Sequence, residues 1–314
     1  PCRMSLQPGT GSTKAVDGNP GVLLVGDVGW NNWEEMHIIR QGGENAGWPL
    51  YEGILENSAY AIAAQTLENK DEPNPSNTCT KPFLTFADLL KQASEEVVTV
   101  VNPCSGLPLP GLQRRYVHSV PALDWNHTNN IARVPKLTAF STTTALIGAA
   151  DSPVPGKPFS GNCSTGGAYY SGTVYPAAYR NLYYFADYGA NWIKAASLGT
   201  AGDITSVNEF VPTGGTNGIV DIEFNPLDGA LYFTNINSGE IRKITYATNR
   251  PPSAVISADK LSGTSPLTVQ FKGEDSTDPD DDALVYNWNF GDGSRSTLAN
   301  PSHTFSSTGT QSFT

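Results

Sequence analysis

Charged side chains are scarce in this 314-residue sequence, at 16% of the residues, and basic ones are the scarcer kind. Lysine and arginine number 19 against 30 aspartates and glutamates, which gives a net charge of −11 at pH 7. Such an acidic surface disfavours binding to nucleic acid or anionic lipid. The charge suits an extracellular protein or one that binds Ca²⁺, or it serves only to keep the surface soluble.

Methionine is nearly absent, with 2 residues, whereas glycine (31), proline (23) and aromatic residues (10%) are plentiful. Glycine and proline terminate helices and strands, so they favour short elements joined by turns. The composition predicts a turn-rich β protein rather than a helical enzyme.

Cysteine is also rare, and the four residues (Cys2, Cys79, Cys104 and Cys163) include no Cys-x-x-Cys pair. This spacing argues against a zinc or thioredoxin-type site. An even number in an acidic, loop-rich chain predicts one or two disulfides. We expect Cys79 to pair with Cys104, because they bracket a predicted helix, and Cys2 to pair with Cys163.

No apolar run approaches the roughly 20 residues of a membrane span, and no signal peptide is visible. The chain begins Pro1-Cys2-Arg3 without methionine, and residues 311–314 form a predicted strand at its end. We interpret both ends as cut, which leaves the C-terminal domain truncated.

Short apolar and aromatic runs separated by Gly, Asn, Asp or Pro predict a series of β-strands. They cover residues 22–27, 34–40, 168–173, 182–188, 192–198, 204–211, 219–224, 230–235 and 240–246. Such spacing is typical of a sandwich or a propeller. Residues 183–211 and 219–246 each predict a three-stranded meander, and a repeat of about 40 residues is the period of a propeller blade.

Residues 54–160 interrupt this pattern and are rich in Pro, Asn, Ser and Thr. Within them, the apolar spacing over residues 83–97 predicts a short amphipathic helix. We interpret the whole segment as an insertion on one face of the propeller, which either shapes a binding site or forms a structural flap.

A domain boundary is predicted at residues 248–252 (Thr-Asn-Arg-Pro-Pro), because the two prolines cannot extend the preceding strand. The sequence beyond it is acidic and rich in Ser and Thr. We therefore expect a domain at residues 1–248 and a small sandwich at residues 249–314.

Two blocks carry a family resemblance: Gly-Asp-Val-Gly-Trp-Asn-Asn-Trp-Glu-Glu at residues 26–35 and Gly-Gly-Glu-Asn-Ala-Gly-Trp-Pro at 42–49, followed by Tyr-Glu-Gly at 51–53. They resemble the glucose/sorbosone dehydrogenase family, which includes soluble quinoprotein glucose dehydrogenases and hedgehog-interacting-protein-like proteins. Residues 166–172 and 183–188 resemble its later blades. The resemblance covers residues 1 to about 247 and implies the C-terminal portion of a six-bladed β-propeller. The family's catalytic histidine would lie upstream.

A second resemblance rests on Tyr-Asn-Trp-Asn-Phe-Gly-Asp-Gly at residues 286–293, with Asp-Pro-Asp-Asp-Asp at 278–282 and Asn-Pro-Ser-His-Thr-Phe at 300–305. These residues resemble a polycystic-kidney-disease (PKD) domain, which has an immunoglobulin-like fold. Trp288 and Phe290 alternate inward on a strand that ends at the turn 291–293. His303 belongs to the same motif and is expected to be structural.

The first resemblance implies pyrroloquinoline quinone (PQQ) as cofactor, with Ca²⁺ bound to it. In that case the backbone carbonyls of Gly29 and Trp30 would hold Ca²⁺, with support from Glu34 and Glu35. The alternative is that Trp33 and Met36 pack inward and that Glu34 is solvated. His37 either approaches the channel or packs in the core, whereas His118 and His127 fall in the insertion.

PQQ carries three carboxylates, so its pocket needs arginine and lysine. The family's quinone enzymes place two arginines before the aspartate of the last-blade strand. Residues 217–221 (Asn-Gly-Ile-Val-Asp) contain none, and the lysine expected near residues 188–190 is also absent. Lys194 is the nearest substitute, and we expect it to be solvated.

Aromatic residues beside a carboxylate suit sugar binding, because the ring stacks on the apolar sugar face and the carboxylate accepts hydroxyl hydrogen bonds. Such a group is formed by Tyr169, Tyr170, Asp187, Tyr188 and Trp192. Ordinary blade packing is the alternative for these residues. In the PKD segment, Asp278, Asp280 and Asp282 form either a Ca²⁺ loop or a solvated turn.

Two functions follow as hypotheses. The first is a secreted, extracellular or periplasmic, PQQ- and Ca²⁺-dependent aldose dehydrogenase that acts on a carbohydrate or small polyol. The second is a non-catalytic propeller that binds carbohydrate or protein. In either case the PKD domain would contact a cell surface or an extracellular polymer.

Overall fold

A computed structural model describes residues 3–76, 78–109, 116–200, 202–246, 250–280 and 282–314. The chain folds into two compact units, Pro1–Thr245 and Tyr246–Thr314. Antiparallel sheets dominate both units, so the predicted all-β class is confirmed.

The first unit contains strands β1 to β17. In chain order they are β1 (Arg3–Leu6), β2 (Leu23–Asp27), β3 (Trp33–Ile39), β4 (Tyr51–Glu52), β5 (Leu55–Glu56), β6 (Glu68–Pro73), β7 (Phe83–Thr85), β8 (Leu123–Asn126), β9 (Ala132–Leu137), β10 (Thr142–Leu146), β11 (Ser164–Tyr170), β12 (Leu182–Asp187), β13 (Trp192–Leu198), β14 (Ile204–Val211), β15 (Ile219–Asn225), β16 (Ala230–Asn235) and β17 (Glu240–Lys243). Within the described ranges, the helical segments include α1 (Ser58–Ala64), α2 (Phe86–Leu89) and the 3₁₀ turns Ala15–Asp17 and Ala177–Tyr179. None of the helices among the described residues has the length and apolar character that a membrane crossing requires.

Three of the sheets in this unit are large. The first has the order β1-β2-β3-β8-β9-β10, the second β11-β12-β13-β14 and the third β15-β16-β17. The second and third are antiparallel meanders, as the sequence predicts, and every strand predicted in this unit is present with ends shifted by a few residues. The strand predicted at residues 311–314 of the second unit, which lie within the described ranges, is absent. Meanders of this kind are the building pattern of propeller blades. The six-bladed ring implied by the resemblance stays a prediction.

Side-chain alternation along β12 explains how the sheets stack. Tyr183 and Phe185 point to one face and join a core cluster with Trp125 of the first sheet. Tyr184 and Ala186 point to the other face and join a cluster with the third sheet. Because successive residues of a strand face opposite ways, an unbroken apolar run fits a strand that is covered on both sides.

The segment interpreted as an insertion contributes to the first sheet. Strands β8, β9 and β10 lie within residues 54–160, and β8 pairs directly with β3 from Trp33↔Asn126 to Met36↔Leu123. The parts before β8 and after β10 lie outside this sheet. The strand signal here was missed because Leu123–Asn126 is short and contains Asp124 and Asn126, which are rare in strands.

The helix predicted over residues 83–97 is confirmed only for Phe86–Leu89. Residues 83–85 form β7, and α2 has four residues, with Thr85 and Asp88 forming a capping box at its start. The chain turns extended at Leu90, and the amide of Lys91 donates to the carbonyl of Tyr116. Leu84 and Leu89 still reach one core cluster, so the apolar spacing reports burial and not a long helix.

The second unit is a small sandwich. Its strands are β18 (Ser257–Ala258), β19 (Leu267–Lys272), β20 (Trp288–Asn289), β21 (Arg295–Ser296) and β22 (Ser302–Phe305). The sheet β18-β19-β22 and the pair β20-β21 enclose Val269, Phe271, Trp288 and Phe290. Trp288 and Phe290 face inward as predicted, and the Trp288 indole N–H donates to the carbonyl of Leu298 at 2.8 Å.

Candidate functional site

Strands β2 and β3 place acidic residues on one face of the first sheet. Asp27 lies directly opposite Glu35, and Val25 lies opposite His37. Residues two apart on a strand share a face, so His37 is on the same side as Glu35 and Asp27. The ligand atoms of Asp27, Glu35 and His37 lie within 4.8 Å of one another.

The carboxylate of Glu35 is held by two neighbours. It accepts a hydrogen bond from the amide of Gly53, and its Oε2 lies 2.7 Å from Nε2 of His37. Gly53 has a φ of +74°, a conformation that favours glycine. His37 is only 2% exposed, which agrees with the expectation of a packed histidine, and it packs against the acidic pair.

The polar row continues across the sheet. Asp124 lies opposite Glu35 on one side and opposite Arg133 on the other. Nε of Arg133 donates to Asp124 at 2.9 Å, and the guanidinium covers the Trp33 ring at 3.3 Å from its centroid. Burial raises the pKa of Asp124, and Arg133 opposes this effect. Arg133 therefore supplies a charge partner for the fully buried carboxyl of Asp124.

A single carboxylate fixes the turn after β2. Oε1 of Glu52 accepts hydrogen bonds from the amides of Asn31 and Asn32, both at 2.7 Å, and of Trp33 at 3.3 Å. Burial alone would raise the pKa of Glu52, but these amides outweigh it and lower the pKa. The anchored turn presents Trp30 to solvent.

The acidic face opens into a cavity of about 320 Å³. It is lined by Asp27, Val28, Gly29, Trp30, Glu35, Ala46, Trp48, Tyr51 and Glu52. Trp30 and Trp48 are 57% and 55% exposed, and their ring centroids are 5.7 Å apart. Tyr60 lies 5.4 and 5.6 Å from the two rings. The three rings form a contiguous exposed aromatic cluster, and such apolar patches often mark binding sites. The cavity therefore combines a carboxylate floor with an aromatic rim.

Of the residues predicted to bind a metal, Gly29, Trp30 and Glu35 line this cavity together, whereas Glu34 does not. Glu34 is fully buried on the opposite face, where it accepts from the Ser164 amide at 2.6 Å and contacts His127 Nε2 at 2.8 Å. Burial raises its pKa to about 8. The solvated alternative for Glu34 is therefore wrong, and its carboxyl instead links the first sheet to the second.

The predicted sugar-binding group does not form an open site. Tyr170, Asp187 and Trp192 are fully buried between the stacked sheets. Asp187 accepts four hydrogen bonds from the protein, including one from the Trp125 indole at 3.0 Å. Tyr169 is half-buried and Tyr188 is 37% exposed. We correct the assignment of the three buried residues to packing, because both faces of the second sheet are covered.

Lys194 is also buried, contrary to the expectation that it is solvated. Its Nζ lies over the rings of Phe159 and Trp192, at 4.6 and 5.0 Å from their centroids, and burial lowers its pKa. The described residues that line the acidic cavity include no lysine or arginine. The cavity therefore lacks the basic side chains that the tricarboxylate PQQ needs as partners.

In the second unit, the acidic loop is largely engaged by the protein itself. Oδ1 of Asp278 accepts from the amides of Asp280 and Asp282, and Asp280 forms an ion pair with Arg250 at 2.7 Å. This geometry is that of a self-capped turn. Ca²⁺ binding here stays a prediction.

The disulfide Cys79–Cys104 is present, as predicted. Cys2 lies outside the described residues, so its pairing with Cys163 stays a prediction. Sequence reasoning missed Asp27, Trp48 and Glu52 as cavity residues, although all three lie in or beside the quoted family blocks. Their position in those blocks was the available signal.

Comparison with known protein families identifies one domain. A family model described as "PKD domain" matches residues 249–314. The second unit is thus a PKD domain with an immunoglobulin-like fold. PKD domains occur in extracellular proteins and often mediate interactions there. Together with the disulfide, this match is compatible with a secreted protein.

Proposed function

We propose that the first unit binds a carbohydrate in the acidic, aromatic-rimmed cavity. The observation that carries this proposal is the pair of half-exposed rings, Trp30 and Trp48, at the mouth of a cavity floored by Asp27 and Glu35. A volume of about 320 Å³ is at the small end of the range of roughly 300–1,000 Å³ for ligand pockets. The ligand would therefore be a single sugar unit or a small polyol.

The chemistry of recognition follows from the two sides of the cavity. An indole ring covers the C–H face of a sugar ring, which is apolar, while the open edge of the ring stays in water. The carboxylates of Asp27 and Glu35 then accept hydrogen bonds from sugar hydroxyls, each worth about 1.5–3 kcal/mol when the acceptor is charged. Ring and carboxylate together select a polyhydroxylated ligand over an apolar one.

Binding, and not oxidation, is the function that this cavity supports. A quinone cofactor with three carboxylates would need arginine or lysine partners, and the described residues that line this cavity include neither. We therefore favour the carbohydrate-binding alternative over a PQQ-dependent aldose dehydrogenase.

We further propose that the protein works outside the cell and that its PKD domain contacts a surface or polymer there. The PKD match and the Cys79–Cys104 disulfide support this proposal. Such a domain would keep the carbohydrate-binding unit near its ligand by raising the local concentration.

The test is a titration of the full chain with aldoses and polyols, in which binding is measured by isothermal titration calorimetry. We expect Trp30→Ala and Trp48→Ala to weaken binding at least about tenfold each, in line with the loss of one aromatic contact. Phe140→Ala is the matched control, because Phe140 is 83% exposed and is not among the residues lining the cavity. Equal loss in all three variants, or unchanged affinity in both tryptophan variants, would refute the proposal.

A second measurement separates binding from catalysis. The protein is mixed with PQQ and Ca²⁺, and dye reduction is followed with the sugar that binds best. We expect no cofactor spectrum and no turnover. Turnover that disappears in Glu35→Gln would instead support the dehydrogenase.

A further inference from the structure

We infer that Asp27, Glu35 and His37 form a binding site for a divalent transition-metal ion such as Zn²⁺, with an open coordination position toward the cavity. This inference concerns the metal alone and is tested without a sugar, although Asp27 and Glu35 are also the carboxylates proposed to accept hydrogen bonds from sugar hydroxyls. It also differs from the Ca²⁺ site expected at backbone carbonyls, because its ligands are side chains of two paired strands.

The strand register brings the three side chains together. Asp27 and Glu35 are directly opposite across β2 and β3, and His37 follows Glu35 on the same face. Directly opposite residues of antiparallel strands have Cβ atoms about 4.5–5.5 Å apart. The ligand atoms of all three lie within 4.8 Å of one another, so a small shift lets one ion contact them all.

The imidazole of His37 supplies an observation independent of this clustering. Its side chain is 2% exposed, and its Nδ1 has no hydrogen-bond partner among the described residues. If Nε2 carries the proton and donates to Glu35, the lone pair of Nδ1 is buried and unused. If Nδ1 carries it, the lone pairs of Nε2 and Glu35 Oε2 face each other at 2.7 Å. The second tautomer thus leaves two facing lone pairs that a cation between Nε2 and Oε2 would satisfy, whereas the first leaves only the buried Nδ1 without a partner.

The donor set selects the class of ion. Ca²⁺ and Mg²⁺ prefer ligands that are all oxygen, whereas an imidazole nitrogen with carboxylates suits Zn²⁺ and its neighbours in the first row. Three protein ligands leave at least one position for water or a ligand oxygen. Asp27 and Glu35 line the cavity, so that position faces its interior.

A neighbouring loop orients the ligands. The amide of Gly53 donates to Oε1 of Glu35, which leaves Oε2 on the side of His37. Carboxylate ligands that are fixed in this way bind metals more tightly, and loss of the orienting bond typically costs 10–100-fold in affinity. Gly53 thereby acts as a positioning residue for the site.

The experiment is a calorimetric titration of the EDTA-treated full chain with ZnCl₂, MnCl₂ and CaCl₂. We expect one Zn²⁺ per chain and binding of CaCl₂ that is at least about tenfold weaker. His37→Asn and Glu35→Gln should each weaken Zn²⁺ binding at least about tenfold, as removal of a ligand costs no less than removal of its support. Asp278→Asn is the control, because it alters the acidic loop of the PKD domain and leaves Zn²⁺ affinity unchanged.

Co²⁺ substitution tests the wild-type chain directly and does not rely on a variant that folds. We expect a visible absorption spectrum typical of mixed nitrogen and oxygen ligation, and zinc X-ray absorption should show one imidazole. An all-oxygen shell, equal Zn²⁺ affinity of His37→Asn and wild type, or loss of binding in Asp278→Asn would each overturn the inference.

Discussion

Replacement of Asp187 by asparagine distinguishes a packing residue from a sugar ligand. The carboxylate accepts from the Trp125 indole and the Cys163 amide, both at 3.0 Å, and from the amides of Asn162 and Ala190 at 3.2 and 2.8 Å. Asparagine keeps the shape but offers one acceptor oxygen and one donor group. In either orientation of the asparagine side chain, two of the four N–H groups that now donate to Asp187 would face its NH₂ group and lose their acceptor.

The magnitude depends on which pair is lost. The Trp125 indole is fully buried, so the asparagine oxygen should stay on that side, and the amides of Asn162 and Ala190 should turn to water. A lost hydrogen bond to a charged group costs about 1.5–3 kcal/mol when it is buried, and less when water replaces it. We therefore expect Asp187→Asn to lower the free energy of unfolding of the first unit by about 2–3 kcal/mol.

The assay is urea denaturation followed by tryptophan fluorescence, since five of the six tryptophans lie in the first unit. Asp151→Asn serves as control, because Asp151 is an exposed aspartate in a turn. Sugar affinity is measured on the same samples. Unchanged stability together with weaker sugar binding would refute the assignment of Asp187 to packing.

Three further predictions concern other parts of the first unit. Burial raises the pKa of Glu34 to about 8 from 4.5, so its protonated form stabilises the fold at low pH, and this stability is lost as the pH rises from 4.5 toward 8. Over this pH interval Glu34→Gln should gain stability relative to wild type, which urea melts at several pH values would measure. A difference that stays constant with pH would contradict the burial of an acid there. The double variant Cys79→Ala/Cys104→Ala opens a loop of 25 residues. It should lower the free energy of unfolding by about 3 kcal/mol relative to the oxidised wild-type protein. An unchanged denaturation midpoint would contradict a stabilising role for the disulfide. Gly53→Ala forces alanine to a φ of +74° beside Asp124. We expect this variant to lose about 1–3 kcal/mol of folding stability, measured by thermal unfolding, and to bind the metal more weakly. Unchanged stability would show that the loop relaxes without strain.

The sequence predicted strands well where hydrophobic alternation is strong. Strands β12 to β16 follow apolar runs bounded by turn residues, and the inward positions of Trp288 and Phe290 follow directly from period two. Periodicity failed for residues 83–97, because a strand, one helical turn and a loop can bury the same set of side chains as a helix. A pattern of apolar residues records which side chains are buried, but it does not specify the backbone between them.

The candidate site was predictable only in part. The block at residues 26–35 pointed to Gly29, Trp30 and Glu35, which do line one cavity. The same block gave no reason to separate Glu34 from Glu35, although strand alternation sends them to opposite faces. Asp187 was misassigned for a related reason: alternation tells which residues share a face, but only tertiary packing tells whether that face is covered.

The second sheet, which packs between the first and third sheets, also determines how the first unit unfolds. Because β12 sends Tyr183 to one cluster and Tyr184 to the other, the two outer sheets each depend on it for their covered face. Unfolding of the first or the third sheet would expose one face of the second sheet and leave the core cluster on its other face intact. Unfolding of β12 would disrupt both core clusters at once. The backbone amides of β12 should therefore be among the last in this unit to exchange with solvent.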